Sequence, residues 1–420
     1  MKTKLTLLFL LLTLVYCTKE PVVIYVTEPN SGTEPEPVQY VLEGQITQNK
    51  TLDASQIWTL KGRVSVVDGV TLTIPAGTII KGEAGTGADA SCLIIARGGK
   101  IDAQGTAQKP IIFTSLSDNI QVGGVYPSSG PSLNVDIRGL WGGVLILGKA
   151  PASFNNNVSE LQIEGIPVSD TNGLYGGSEP TDNSGIFKYV SIRHGGAEIG
   201  EGNEINGLTL GAVGSGTVID NVEIIANVDD GIEFFGGTVN ASNLLVWGQG
   251  DDGLDIDQAY AGTIDNALVV LTSASDHALE IDGPEGSLDG SFTIKNTTLV
   301  GASNGCTALS GDGEIADFRS GAMGTTENIL AKGFAEGKDV ELDNDGVAQN
   351  YTNGLLVFKN WNFLPNESCT TEALEGGIFD DKSDIGSTFE ADSNTFAKIV
   401  TQAEVGADES VFSWTFFKRQ

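Results

Sequence analysis

The chain has 420 residues, 55 of them Gly, and carries 55 acidic residues against 23 basic ones, a formal net charge of −32. A balance this acidic argues against nucleic acid or an anionic membrane surface as an electrostatic partner; it is compatible with cation binding or with solubility at a cell surface. The length supports a full hydrophobic core, and a repeating chain of this size can be one domain.

Residues 1–17 read MKTKLTLLFLLLTLVYC. Lys2 and Lys4 form a basic start, and Leu5 to Val15 an apolar run too short for a membrane span, which together read as a secretory signal. The segment ends in LVYC, which resembles a bacterial lipobox with Cys17 as the acylated residue. Tyr16 departs from the small residue usual before that Cys, so an ordinary signal peptide cut nearby is the alternative. A diglyceride on Cys17 would anchor the protein to a membrane without a spanning helix. Residues 18–42, with TEPNSGTEPEP at their centre, are expected to form a disordered tether. Lys19-Glu20 resembles the charged export signal of Bacteroidota surface lipoproteins. The location this implies is the outer membrane, lipid-anchored and facing the cell surface.

Residues 43–360 are expected to form the folded body. TLTIPAGTIIKG and SCLIIARGGKIDAQGTAQKPIIFTS share a strand–turn–strand plan with Gly at the turns. Residues 117–136 read as a loop excursion. RGLWGGVLILGKA (Arg138–Ala150) returns to the plan, with Trp141 closing over a coil. Residues 151–184 are rich in Asn, Gly and Ser and read as an insertion over one face. IFKYVSIRHGG then resumes the pattern, with Tyr189 where later copies carry Asn.

From there one phrase returns six times: TVIDNVEII, TVNASNLLVW, GTIDNALVV, FTIKNTTLV, GTTENILAK and QNYTNGLLV. Each is β-prone with a central Asn, at Asn221, Asn243, Asn266, Asn296, Asn328 and Asn353. The gaps are 22, 23, 30, 32 and 25 residues, a period that means a solenoid; the β-rich, Gly-rich content makes it a coil of strands. A second phrase interleaves: INGLTLG, DDGIEFF, DDGLDID, DHALEID and DVELDND, while GEIADF (residues 313–318) fits it poorly. Alternation turns Ile232 and Phe234, Leu254 and Ile256, Leu279 and Ile281, and Val340 and Leu342 inward. Thr209, Glu233, Asp255, Glu280 and Glu341 then form one outward column, and Phe235, Asp257, Asp282 and Asp343 another. Two strand-forming segments per coil would share one core, with buried Asn ladders at the bends.

The Asn column and the DDG turns resemble the right-handed parallel β-helix proteins of the pectin-lyase-like class. RGLWGGVLILGKA, NEINGLTLGAVGSGT and DDGIEFFGGTVNASNLLVWGQGDD resemble the uncharacterised exported β-helix lipoproteins of Bacteroidota. The resemblance implies an all-β fold, a single-stranded right-handed parallel β-helix solenoid with an Asn ladder; it implies no settled activity. Residues 361–420 are expected to supply loops and a C-terminal cap. With Cys17 assigned to lipid, Cys92, Cys306 and Cys369 remain; a Cys306–Cys369 bridge suits an oxidising compartment, but spacing does not choose the pairing.

The acidic columns carry the candidate chemistry. Two ionised carboxylates one coil apart repel by about 3–4 kcal/mol at an effective dielectric of 20. Such a column must splay into water, bond to turn amides, take up protons or bind a cation, of which Ca²⁺ is the natural one. The metal candidates are Asp229, Asp230, Asp251, Asp252 and Asp276, and the ligand-binding candidates Glu233, Asp255, Asp257, Glu280 and Asp282. A purely structural account has the first Asp of each DDG capping a turn and its Gly supplying positive φ. Glycoside hydrolysis also needs paired carboxylates. Asp251-Asp252 resembles the adjacent Asp pair of the polygalacturonases, and His277 their His, so these three are the catalytic candidates. The Asn-Thr-Asp phrase and the Arg-x-Lys of those enzymes are missing, and with them the clamp for a uronate carboxylate. A lyase base would have to come from Arg319, Lys295 or Lys332, none of them in a motif. Phe235, Trp247 and Tyr260 are the aromatic candidates for an outward, sugar-facing position. The reading is a non-catalytic, lipid-anchored surface protein that binds glycan or another extracellular ligand with Ca²⁺ assistance. The alternatives are a polysaccharide lyase or glycoside hydrolase acting on acidic polysaccharide, and a structural or adhesive partner of an outer-membrane protein complex.

Overall fold

One backbone bend per coil sets the architecture. The computed structural model describes residues 40–123, 133–198, 204–308, 313–366, 369 and 373–417; the signal segment, Cys17 and nearly all of the tether lie outside them. In the central block each coil is a long strand bent once, a turn and a short strand. The bend falls on a residue at positive φ: Tyr189 at 50°, Asn221 and Asn243 at 55°, Asn266 at 67°, Asn296 at 54°, Asn328 at 58° and Asn360 at 53°. Among residues with a Cβ, Asn tolerates this conformation best. The bend turns each long strand across two faces. The coil therefore closes with three faces around the core, not two segments. One early coil divides its three faces among the strands Thr71–Pro75, Ile79–Gly82 and Cys92–Ile95, the last two pairing with the single bent strand Ile57–Val66 before them. The next coil's Lys100–Gln104 and Ile111–Ser115 both pair with the single bent strand Gly185–Arg193.

Successive coils pair in parallel and in register. Long strands Val218–Ile225, Asn240–Trp247, Thr263–Val270, Phe292–Val300, Gly324–Lys332 and Leu356–Leu364 stack in that order. Short strands Leu208–Gly211, Ile232–Phe235, Leu254–Asp257, Leu279–Ile281, Ala316–Phe318, Val340–Leu342 and Phe379–Asp381 do the same. The coil at 313–318, whose sequence fits the phrase poorly, is in register with the rest. The inward positions expected from alternation are buried in one continuous core.

The side-chain ladder departs from expectation at its end and in its continuity. Asn353 is not on it; that residue closes the α-helix Asp345–Thr352, and Asn360 takes the ladder position. Asn266 bonds to Asn243, Asn328 to Asn296 and Asn360 to Asn328, at 2.8–3.0 Å. Asn243 and Asn296 instead donate to Asp220 and Asp265, the residues just before a bend one coil earlier.

The turn glycines also differ from expectation. Gly231 and Gly253 do not adopt positive φ. A Cβ on Gly253 would stand 2.4 Å from a Val269 methyl and 2.6 Å from the Ala278 carbonyl oxygen, and one on Gly231 2.3 Å from Val246. These glycines are required by close approach between coils. The second Asp of the turn bonds from coil to coil: Asp230 Oδ1 accepts the Asp252 amide at 2.9 Å, and Asp252 Oδ1 accepts the His277 amide at 2.6 Å.

The parallel sheet runs past residue 360, through Phe379–Asp381 to Ala397–Ile399. The α-helix Phe389–Phe396 closes this end, packing Phe389 and Phe396 against Phe358 and Phe379. The chain then returns along the outside of the long strands. Phe412 packs with Leu245 and Leu268, Trp414 against Tyr189, and Trp247 lies under Phe416 and Phe417. Trp141 is wholly buried, donating to the Arg193 carbonyl. Cys306 and Cys369 are disulfide-bonded, and Cys92 is a buried thiol. Among the described residues no helix is long and apolar enough to cross a membrane.

Asn328→Ala removes two ladder bonds and puts a less tolerant residue at positive φ. The expected loss is about 1–3 kcal/mol in denaturant unfolding. Asn353→Ala, which touches no ladder bond, is expected to stay within about 0.5 kcal/mol of the parent.

Candidate functional site

The short strands carry their acids on the side away from the core. Register aligns Thr209, Glu233, Asp255, Glu280, Asp317, Glu341 and Asp380 in one column. Six consecutive rungs therefore bear carboxylates. Asp317 and Asp380 were not legible as members, because their coils carry degraded forms of the phrase. The column is outward but not open: Glu233, Asp255, Glu280 and Asp317 are 5–9% exposed.

The insertion stands along one side of it. Ile163, Ile166, Phe154 and Tyr175 pack with Leu145, Leu147 and Phe235 into a second apolar cluster outside the coils. Tyr175 donates to the Gln258 side chain at 2.7 Å, and Gln258 donates to Glu285 at 3.1 Å. Ser153 and Asn157 accept the amides of Gly286 and Ser287. This wall stands at the C-terminal ends of the short strands. The same packing removes two aromatic candidates from solvent: Phe235 lies beneath the insertion, and Tyr260 points into the core with its hydroxyl on the Val239 carbonyl.

The charge of the strip is handled differently along its length. In the later coils it is met by cations. Arg319 follows Phe318 as Asp282 follows Ile281, so it replaces an acid in its own coil; it pairs with Glu280, with Asp282 at 2.7 Å and with Asp317 at 3.8 Å. Lys382 pairs with Asp380, and at 3.5 Å with Asp339 and Glu341. In the middle, His277 Nδ1 meets Asp252 Oδ1 at 2.8 Å and Glu280 at 3.5 Å. Burial opposes a charged imidazole there, but the Asp252 bond and the charges of Asp252, Asp276 and Asp317 outweigh it and push the ring up to about 9. His277 is thus a half-buried imidazolium tying rungs together.

In the earlier coils, among the described residues, no basic side chain pairs with Asp229, Asp230, Glu233, Asp251, Asp255 or Asp257. Burial and neighbouring charge push Asp229 and Asp257 up to about 7 and Asp251 to about 6. Asp230, Glu233 and Asp255 are driven well above the usual carboxylate range, first by burial and then by one another and nearby acids. Glu164 of the insertion adds to the charge around Asp229 and Glu233.

The metal candidates do not gather into one site. Asp229, Asp230 and Asp251 come together at the rim; Asp252 and Asp276 come together with His277 instead. A third group, Asp230, Glu233 and Asp255, brings one metal candidate together with two ligand-binding candidates, all three buried. Of the catalytic candidates, Asp252 and His277 touch, while Asp251 is exposed beside them. Asp257 and Asp282 are half-buried at the wall, and Glu280 is held by Arg319. Lys295 and Lys332 lie away from the strip, paired with Asp265 and Glu409. A separate cleft of about 560 Å³ is lined by Arg97, Lys149, Asn172 and Ser178, with both cations facing acids, Glu160 and Asp68.

A family model described as a pectate-lyase like beta helix domain matches residues 44–416. No curated protein and no solved structure matches the chain.

The raised carboxylates fix a pH dependence. A group whose pKa is higher folded than unfolded stabilises the fold while protonated and loses that contribution as pH rises through its folded value. For Asp229, Asp251, Asp257 and Asp317 the window runs from about 4 up to 6–7. His277 acts in the same sense, its contribution falling as pH rises through about 9. In chelator-treated buffer, thermal unfolding is therefore expected at progressively lower temperature from pH 5 to pH 8.

Proposed function

This chain belongs to the pectate-lyase-like β-helix family, and we propose that it is a non-catalytic surface protein that takes a glycan or another extracellular ligand against its acidic strip. The observation that carries this reading is that the basic groups beside the strip, among the described residues, are already engaged: Arg319 holds three carboxylates, Lys382 three and His277 three. A lyase on this face would need an Arg or Lys free to take a proton from the substrate; an Arg bridging three acids is a counter-ion. Among the described residues the rim acids Asp229 and Asp251 have no such counter-ion, and there a hard cation such as Ca²⁺ would join the strip to the anionic groups of an acidic polysaccharide. Export by the signal segment and a lipid on Cys17 would place this face outside the cell.

One observation favours a second reading. Asp251, pushed up to about 6, stands beside the Asp252–His277 pair, and glycoside hydrolysis takes two carboxyl groups of which one has a raised pKa.

The purified protein, passed over immobilised acidic and neutral polysaccharides, is expected to be retained on an acidic one with Ca²⁺ and released by chelator. It is expected to generate no reducing ends and no unsaturated uronate. Asp251→Asn is expected to weaken retention several-fold. Turnover that disappears in Asp251→Asn would replace the binding reading with the hydrolase. Absence of both retention and turnover would instead point to an outer-membrane protein partner.

A further inference from the structure

We propose that residues 405–417 form a strap that opens as one unit while the β-helix stays folded, and that the buried Arg193–Glu223 pair beneath its far end is the device that permits the opening. The strap lies against the long strands, whereas the acidic strip is carried by the short ones, so the inference does not rest on what the strip binds.

Register sets out what the strap covers. Leu245 and Leu268 stand in one outward column of the long strands, between Glu223 and Thr298. Ile225, Trp247, Val270 and Val300 follow Arg193 in the next. Phe412 is buried on Leu245 and Leu268, and Phe417 lies against Trp247. The fastenings differ from those of the coils. Each coil is held by strand pairing, but the strap belongs to no sheet, and its one regular element is the six-residue 3₁₀ turn Glu409–Trp414. Thr298 Oγ1 accepts the Ala407 amide at 2.9 Å, Asn266 Oδ1 accepts the Asp408 amide at 2.6 Å, and Glu409 pairs with Lys332 at 3.0 Å. Thr401 to Glu404, which lead to the strap from the last strand, are all exposed. Segments held in this way belong to the low end of local stability, and paired core strands to the high end.

A second observation is the charge under the strap's end. Arg193 and Glu223 are wholly buried, 3.9 Å apart. Glu223 accepts the Ser191 hydroxyl at 2.6 Å and the Phe417 amide at 3.1 Å, and the Phe416 ring lies 5.5 Å from the Arg193 guanidinium. The strap therefore helps keep both charges from water. Desolvating an ion pair can cost more than its attraction returns, and uncharged groups of similar volume often hold better. Shut, the strap gains the burial of Phe412 and Phe417 and loses the hydration of Arg193 and Glu223. Open, that hydration returns. The pair thus narrows the gap between the two states. Opening presents Leu245, Leu268, Trp247 and Val270 together, an apolar face of the kind that marks an interaction site, which the shut strap withholds.

The test is native-state hydrogen exchange of the full chain, read at single-residue resolution by mass spectrometry. The amides of Ala407, Asp408 and Phe417 are expected to share one protection factor, about 100-fold below that of the strand Asn240–Trp247. Arg193→Met combined with Glu223→Gln removes both charges and keeps an oxygen for the Phe417 amide; it is expected to slow strap exchange about tenfold. Phe412→Ala, confined to the strap, is expected to speed it about tenfold, and it carries the test if the double variant fails to fold. Strap amides protected as strongly as the strand would overturn the proposal, because opening would then require global unfolding. Protection that differs from amide to amide would overturn it in favour of fraying. So would a double variant whose strap exchanges as fast as the parent's or faster, or a Phe412→Ala strap that exchanges no faster.

Discussion

Parallel strands pairing in register about 4.8 Å apart impose one rule on this molecule: whatever stands at a position stands next to its counterpart in the following coil. Apolar residues gain from that rule, and the inward columns build a continuous core. Asn gains from it twice, since the side chain accepts the bend and bonds to its neighbour above. Carboxylates lose by it, at about 3–4 kcal/mol for each ionised pair at an effective dielectric of 20. Six rungs of acid on one face are therefore a strain that the rest of the structure must answer.

The answers change along the column. A register position given to Arg319 instead of an acid draws three carboxylates together. His277, in place of the second Asp of the turn, bonds back to Asp252 through both its backbone amide and its ring. Asp230 gives an oxygen to a backbone amide one coil on. In the first acidic coils no basic side chain among the described residues pairs with the column, and the insertion adds burial, which raises the cost of charge. The region of greatest unbalanced charge is thus also the most enclosed, and it lies next to the rim from which a ligand would be held.

Much of the fold was legible in residue order, because local chemistry determines it. Alternation assigned Phe234 to the core, and the Asn spacing marked five of the bends, with Tyr189 standing in for another. What escaped depended on distant parts of the chain. Asn353 and Asn360 both lie at plausible spacings from Asn328, and only the intervening helix Asp345–Thr352 decides between them. Gly253 looked like a turn residue, but its requirement comes from Val269, which belongs to the next strand. Asp317 was hidden by GEIADF, whose register is set by pairing with Glu280 and Glu341. Outward was equated with exposed, and the insertion at 151–184 separates the two: it buries Phe235 and helps enclose the acids. The acid types and turns were visible from the start; which three converge was not, since Asp230, Glu233 and Asp255 meet only when two coils stack.

The central claim is that burial and in-register stacking of the early coils' acids hold part of the strip protonated far above the usual carboxylate range. A carbon-13 NMR titration of the Asp and Glu carboxyl groups tests it most directly. The account predicts that Asp229, Asp251 and Asp257 change protonation between about pH 6 and pH 7. A protein whose Asp carboxyl groups all titrate below about pH 5 would contradict it.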